Sequence, residues 1–103
     1  MTEEKVYKTF EEFYPYYLTE HQNQTCIRLH VIGTTIALLW GLYTLLTAQY
    51  NWFLFGFVIA YFHAWVGHFF FEKNKPASFK YPLMSLRGDF RMTYEIYTGK
   101  RPF

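Results

Sequence analysis

The feature that most constrains this chain is a long central block without charge. The 103-residue sequence holds 10 Lys and Arg and 8 Asp and Glu, yet none of them lies between Arg28 and Glu72. The polar sequence that remains in so small a chain is too short to cover this block with a soluble surface. The block therefore favours helices embedded in a membrane over a water-soluble core.

The length of this block and a short polar turn within it predict two helices. Residues 29–48 would rise about 30 Å as an α-helix, which is enough to cross the hydrocarbon core of a bilayer. A short polar turn follows at Gln49, Tyr50 and Asn51, with Asn51 as a possible N-cap, and residues 52–71 form a second apolar run. Two such runs joined by a short turn predict an antiparallel hairpin. Close contact between the helices is favoured by small residues in both runs, namely Gly33, Gly41 and Gly56. The alternative is a soluble helical bundle with a wholly buried centre.

Both flanks have the apolar periodicity of amphipathic helices. Thr9 and Glu12 fit a capping box, and Pro15 indicates either a kink or a later helix start. After Pro82, apolar residues recur at spacings of 3, 4, 4 and 3, which predicts a helix that lies at the membrane interface. Gly99 is expected to end this helix. These stripes are Phe10, Phe13, Tyr14, Tyr17 and Leu18 in the first flank, and Leu83, Leu86, Phe90, Tyr94 and Tyr97 in the second.

The predicted fold is therefore all-α, with residues 1–103 forming a single membrane-embedded helical domain. It is an antiparallel helical hairpin flanked by N- and C-terminal amphipathic helices. The turn carries no Lys or Arg, whereas the other ends of the helices do, so both termini should face the cytoplasm. These basic residues are Arg28, Lys73, Lys75 and Lys80.

Composition excludes several other classes. A formal net charge of +2 without a basic stripe argues against nucleic acid as a partner. Cys26 is the only cysteine, so no intrachain disulfide can form. The acidic and polar N-terminal residues 1–13 contain no apolar segment of the kind found in signal peptides.

The histidines are the candidates for chemistry. His68 and Glu72 are four residues apart, so a helix would place both on one face, where they could share a metal ion. With the turn centred at Tyr50, His30 lies 20 residues before it and His68 lies 18 after it, at the same level of the hairpin. The polar break after His21 lets the chain return that side chain to the same place. His63 lies deeper and about 140° around the helix from His68, so we expect it to be structural.

Two stretches resemble a known family. They are EFYPYYLTEHQNQTCIRLHVIGT and AWVGHFFFEKNKPASFKYPLMSLRGDF, which contain the motifs H-x8-H and G-H-x3-E-x3-P-A. The chain resembles, from about Phe13 to Phe90, the small membrane proteins that include the fungal 2-hydroxy fatty acid dioxygenase of phytosphingosine breakdown.

The resemblance implies an iron(II)-dependent α-oxidation, in which a 2-hydroxy fatty acid and dioxygen give a fatty acid one carbon shorter. The family's essential histidines carry over onto His21, His30 and His68. Glu72 matches the family's acidic position and is expected to be a catalytic residue, as a labile fourth ligand or as a partner that orients a histidine.

The substrate carboxylate could pair with Arg28 or Lys75, and Asn74 could add a hydrogen bond. Two other classes stay open at this point: a different membrane metalloenzyme acting on lipids, such as a zinc hydrolase, and a non-catalytic hairpin scaffold. The sequence leaves the oligomeric state open, with a homo-oligomer among the alternatives.

Overall fold

Two long apolar helices packed against each other form the centre of the molecule. The computed structural model describes residues 6–103, so the first five residues of the polar N-terminal stretch lie outside it. Helix α2 spans Gln24–Leu46, and helix α3 spans Phe55–Val66 and continues as a π-helical turn over Gly67–Glu72. Both helical stretches, Gln24–Leu46 and Tyr50–Glu72, are long and apolar enough to cross a membrane. The prediction of an all-α fold is confirmed, since no strand occurs in the described part of the chain.

A close helix contact fixes the register of this hairpin. A Cβ atom on Gly67 would lie only 2.9 Å from the Cys26 Sγ atom, so α2 and the π-turn can touch here only because this residue is glycine. His30 lies one helical turn after Cys26, and His68 follows Gly67 directly. The register therefore brings these two histidines to the same level, as the sequence predicted.

The turn at the other end of the hairpin differs from the prediction. Helix α2 ends at Leu46, and the chain reverses through Ala48, which has a left-handed φ of 57°. A short 3-10 helix over Tyr50–Trp52 precedes α3. Asn51 lies inside that 3-10 helix and caps nothing, so its predicted role as an N-cap is wrong.

The first flank forms helix α1 over Phe10–Thr19. The Thr9 side chain caps it by accepting a hydrogen bond of 3.2 Å from the Glu12 amide. The helix passes through Pro15, so the alternative start at that residue is wrong. Its apolar side joins a core with α4 and the beginning of α2, made of Phe10, Phe13, Tyr17, Val31, Ala77, Met92 and Ile96.

The last helix, α4, spans Pro82–Tyr97 after a 3-10 turn over Ala77–Phe79. Its predicted apolar stripe faces outward, with Leu83 80% exposed and Tyr97 65% exposed. The opposite face is buried and carries polar side chains, including Ser85, Asp89 and Thr93. The helix is therefore present where expected, and its exposed apolar stripe suits a position at the membrane interface.

Candidate metal centre

Three buried histidines from three different segments meet at one point. His21 follows the end of α1, His30 lies in the second turn of α2, and His68 lies in the π-turn. Each side chain is at most 5% exposed. One ring nitrogen from each histidine lies within 4.8 Å of the others, which makes the group a candidate for holding a metal ion. The three rings are mutually edge-on, with centroids 4.4 to 4.9 Å apart.

The second nitrogen of every ring has an oxygen partner. The Nδ1 atoms of His21 and His30 lie 2.6 and 2.8 Å from the backbone carbonyl oxygens of Tyr17 and Cys26. The Nδ1 atom of His68 lies 2.8 Å from the Asn74 side-chain oxygen. Because an oxygen of this kind accepts a hydrogen bond, we assign a proton to each Nδ1. Metal-ligating histidines commonly use their second nitrogen in this way.

This assignment leaves three Nε2 lone pairs facing one another. The Nε2 atoms of His21 and His30 are 3.0 Å apart, but neither carries a proton with which to form a hydrogen bond. A shared cation would satisfy both. With metal–nitrogen bonds of about 2.1 Å, two ligands at right angles are about 3.0 Å apart, so the observed spacing fits. Burial, with His30 and His68 as neighbours, holds the pKa of His21 well below its usual range, which keeps the ring neutral as a ligand must be.

The π-turn is what presents His68. In a π-turn the hydrogen bonds join residues i and i+5, so each turn is wider than a turn of α-helix. Such turns are frequent at functional sites. The left-handed residue Lys73, with φ 64°, then reverses the chain and returns Asn74 to His68. Asn74 is held there by its backbone amide, which donates to the His68 carbonyl at 3.1 Å.

The model of the Mpo1-like family matches residues 7–101 of this chain. That family is described as "2-hydroxy-palmitic acid dioxygenase Mpo1-like". The chain belongs to the Mpo1-like family. The match includes all three histidines and confirms the resemblance drawn from the sequence. No curated protein and no solved structure matched the chain.

In this Mpo1-like protein, Glu72 does not join the three histidines. Its Oε1 atom accepts a hydrogen bond from the backbone amide of Asn23, the residue that caps α2. The predicted pairing of His68 with Glu72 assumed α-helical geometry. The π-turn changes the angle between residues four apart, and Glu72 faces the start of α2 instead.

Two of the three residues suggested for binding the substrate carboxylate have other contacts. Asn74 accepts from His68 and donates to the Glu20 carbonyl at 3.3 Å, so it orients a histidine. The Arg28 Nε atom donates to the Phe103 carbonyl at 3.0 Å. Lys75 is exposed. None of the three is among the residues that line the cavity beside the histidines.

His63 lies apart from the three clustered histidines, as expected. Its Nδ1 atom is 2.8 Å from the Ile59 carbonyl of its own helix. A Cβ atom on Gly33 would lie 2.5 Å from the His63 Cβ atom, so the two helices pack tightly at this pair.

Sequence reasoning missed the carboxyl group nearest to the histidines. The Asp89 Oδ1 atom lies 4.0 Å from the His30 Nε2 atom and accepts a hydrogen bond from the Tyr17 hydroxyl. Burial raises the pKa of Asp89 to about 7, against the hydrogen bond from Tyr17, which lowers it. No sequence signal marked this residue, because the same helix carries other charged residues, Arg87 and Arg91, on either side of Asp89.

Proposed function

We propose that this chain is an iron(II)-dependent dioxygenase that oxidises 2-hydroxy fatty acids to fatty acids one carbon shorter, within a membrane. The observation that carries the proposal is the convergence of ring nitrogens from three buried histidines at one point, in a chain of the Mpo1-like family. Family membership supports the reaction class, and the histidines support the metal.

His21, His30 and His68 would hold the metal. Imidazole nitrogens suit iron, and three protein ligands leave coordination positions open, as oxygenases require. The 2-hydroxy acid could chelate a bound iron(II) through its carboxylate and its hydroxyl, and the metal would supply the one-electron chemistry that dioxygen needs. Asn74 and two backbone carbonyls would keep the three rings oriented through their Nδ1 protons.

The reaction balances without a further reductant. One 2-hydroxy acid and one dioxygen give the shortened acid, carbon dioxide and water. The carbon–carbon bond to the carboxylate breaks, and the former C2 becomes the new carboxyl carbon. The substrate loses four electrons, which is the number that reduces dioxygen completely. The organic acid and dioxygen are therefore sufficient.

An apolar groove between α2 and α3 supports an acyl chain as the rest of the substrate. The groove has a volume of about 320 Å³. The groove begins one helical turn from the proposed metal site. On α2 its lining residue Thr34 follows His30 by four residues, and on α3 its lining residue Ala60 precedes Ala64, which lines the cavity beside the histidines, by four. It continues toward the hairpin turn along Ala37, Leu38, Gly41, Leu42, Leu45, Phe53, Gly56 and Phe57.

A membrane location would follow from the same hairpin. The basic residues flank the end with the histidines, so the positive-inside rule puts both termini in the cytoplasm. Single cysteines in a Cys26→Ser background test this orientation by labelling from either side. Labels at positions 8 and 100 should react only from the cytoplasm, and one at Asn51 only from the far side. Opposite accessibility of the two termini would contradict the hairpin.

Oxygen uptake tests the reaction. Protein purified in detergent without oxygen is loaded with iron(II) and supplied with dioxygen and either a 2-hydroxy fatty acid or the plain acid, at several chain lengths. We expect one dioxygen consumed for each shortened acid formed, and almost no turnover of the plain acid. Equal turnover of both acids would contradict binding of the substrate to the metal through both its carboxylate and its 2-hydroxyl. No uptake with either acid would favour a zinc hydrolase or a scaffold.

A further inference from the structure

Two polar side chains of α4 lie in the cavity beside the histidines, and neither serves in holding the metal. Ser85 and Asp89 are four residues apart on the buried face of the helix, and each is 4% exposed. The Ser85 Oγ atom has no hydrogen-bond partner among the described residues. A buried hydroxyl without a partner is unfavourable in a protein interior, so this one indicates that the cavity receives a polar group.

The position of Asp89 is fixed from α1. The Tyr17 hydroxyl donates to its Oδ1 atom. A Cβ atom on Gly88 would lie 2.9 Å from the Tyr17 ring, so α4 can approach this ring closely only at a glycine. Tyr17 is therefore a positioning residue, which directs the Asp89 carboxyl toward the histidines.

The separation of 4.0 Å between Asp89 Oδ1 and His30 Nε2 is too long for a hydrogen bond. A small group placed between them could contact both the carboxyl and the metal ligands. The free volume of this cavity is about 10 Å³, close to the space for one water-sized group. A space of that order suits a hydroxyl better than the larger carboxylate.

Hydrogen bonding favours the same group. A carboxyl oxygen accepts a hydrogen bond from a hydroxyl, whereas a substrate carboxylate has no proton to donate to it. We propose that Asp89 and Ser85 bind the 2-hydroxyl group of the substrate, with Asp89 accepting its hydrogen bond. This inference rests on the proposed function, and it assigns the orientation of the substrate: the hydroxyl faces α4, and the carboxylate faces away from it.

The test compares affinity for two acids of equal length, 2-hydroxypalmitic acid and palmitic acid. Each displaces a fluorescent fatty acid from iron(II)-loaded protein kept free of oxygen, and bound iron is measured in the same samples. In Asp89→Asn the Oδ1 atom can still accept from Tyr17, but as a neutral amide oxygen it is a weaker acceptor for the substrate hydroxyl than a carboxylate oxygen. We expect the preference for the hydroxy acid to fall on the order of tenfold, with the affinity for palmitic acid and the iron content unchanged.

Ser85→Ala is a second variant, which removes only a hydroxyl without a partner and should fold normally. We expect it to reduce the preference by about threefold. Thr93→Val is the matched control, because Thr93 is equally buried on α4 and its hydroxyl also lacks a partner among the described residues, but it does not line the cavity. The preference of this variant should equal that of the native protein.

The inference fails if Asp89→Asn and Ser85→Ala both keep the native preference, or if the control Thr93→Val changes the preference as much as they do. It also fails if Asp89→Asn weakens the binding of both acids equally or loses iron. Oxygen uptake by the native protein separates this failure from that of the proposed function. Native turnover of 2-hydroxypalmitic acid with an unchanged preference in the variants would overturn the hydroxyl site alone. Absence of native turnover would overturn the proposed function as well.

Discussion

The two ends of the hairpin are built in opposite ways. Near the turn, large apolar side chains are exposed: Leu42 is 55% exposed, Leu46 is 77% exposed and Leu54 is 67% exposed. At the other end, polar side chains are buried, and His30, His68 and Asp89 are each at most 4% exposed. A soluble protein of this size would reverse both arrangements.

This difference indicates what surrounds each end. Exposed leucines cost free energy in water, at roughly 25 cal/mol for each Å² of apolar surface, but not in lipid. The buried polar groups are held by specific partners such as Tyr17 and Asn74. One end is thus suited to a bilayer, and the other shields a polar centre from both lipid and water.

The largest effect should come from placing a charge at the exposed end. Leu39→Arg should oppose membrane insertion by about 2.5–3.5 kcal/mol, because Leu39 is 62% exposed and lies near the middle of residues 29–48, in the hydrocarbon region. Leu83→Arg is the control, since Leu83 is 80% exposed but lies near Lys80 and Arg87, at the basic end. The fraction of chains that resist carbonate extraction measures insertion. Tolerance of both changes would mean that the leucines face water.

At the polar end, Asn74→Ala should weaken metal binding by about 10–100-fold, because His68 loses the oxygen that orients its ring. Competition with a metal chelator gives the affinity. Asn51→Ala, in the exposed turn, provides a control of the same chemistry and should have no effect. Native affinity in the Asn74 variant would show that the π-turn alone positions His68.

Glu72→Gln should have a smaller effect. A neutral acceptor in place of the carboxylate weakens the contact with the Asn23 amide, so we expect a loss of about 1 kcal/mol in the free energy of unfolding. Bound iron should remain at the native level. A large loss of iron would restore the role of Glu72 as a ligand that the sequence suggested.

The last effect appears only in acid and concerns the stability of the folded state. Burial opposes ionisation of Glu95, but hydrogen bonds from Tyr14, Arg101 and Arg91 outweigh it and lower its pKa from 4.5 to about 2. The folded state therefore gains stability that is fully present above about pH 4.5 and is lost as the pH falls toward 2. Glu95→Gln should flatten unfolding profiles across this range. An unchanged slope would assign acid sensitivity to other carboxyl groups.

The hairpin and its three histidines were predictable because they depend on length, charge and helical rise. The outward apolar stripe of α4, with Leu83, Tyr94 and Tyr97, agrees with the interfacial helix that the sequence predicted. What the pattern did not predict is that the polar side chains on the other face of α4 are buried against the protein.

The carboxyl beside the site was unpredictable for a different reason. Asp89 meets Tyr17 across 72 residues, and no local spacing signals that contact. The contacts of Glu72 and Asn74 depend on a π-turn and on the left-handed residue Lys73, neither of which the helical pattern predicts. Sequence therefore located the site, whereas its inner contacts required the structure.

Metal stoichiometry tests the central claim most directly. Native protein and four histidine variants are purified in detergent without oxygen, loaded with iron(II) and freed of unbound metal before elemental analysis. We predict about one iron per chain in the native protein and in His63→Ala, and a sharp loss in His21→Ala, His30→Ala and His68→Ala. Full iron content in all four variants, or none in the native protein, would contradict a metal centre at the three histidines.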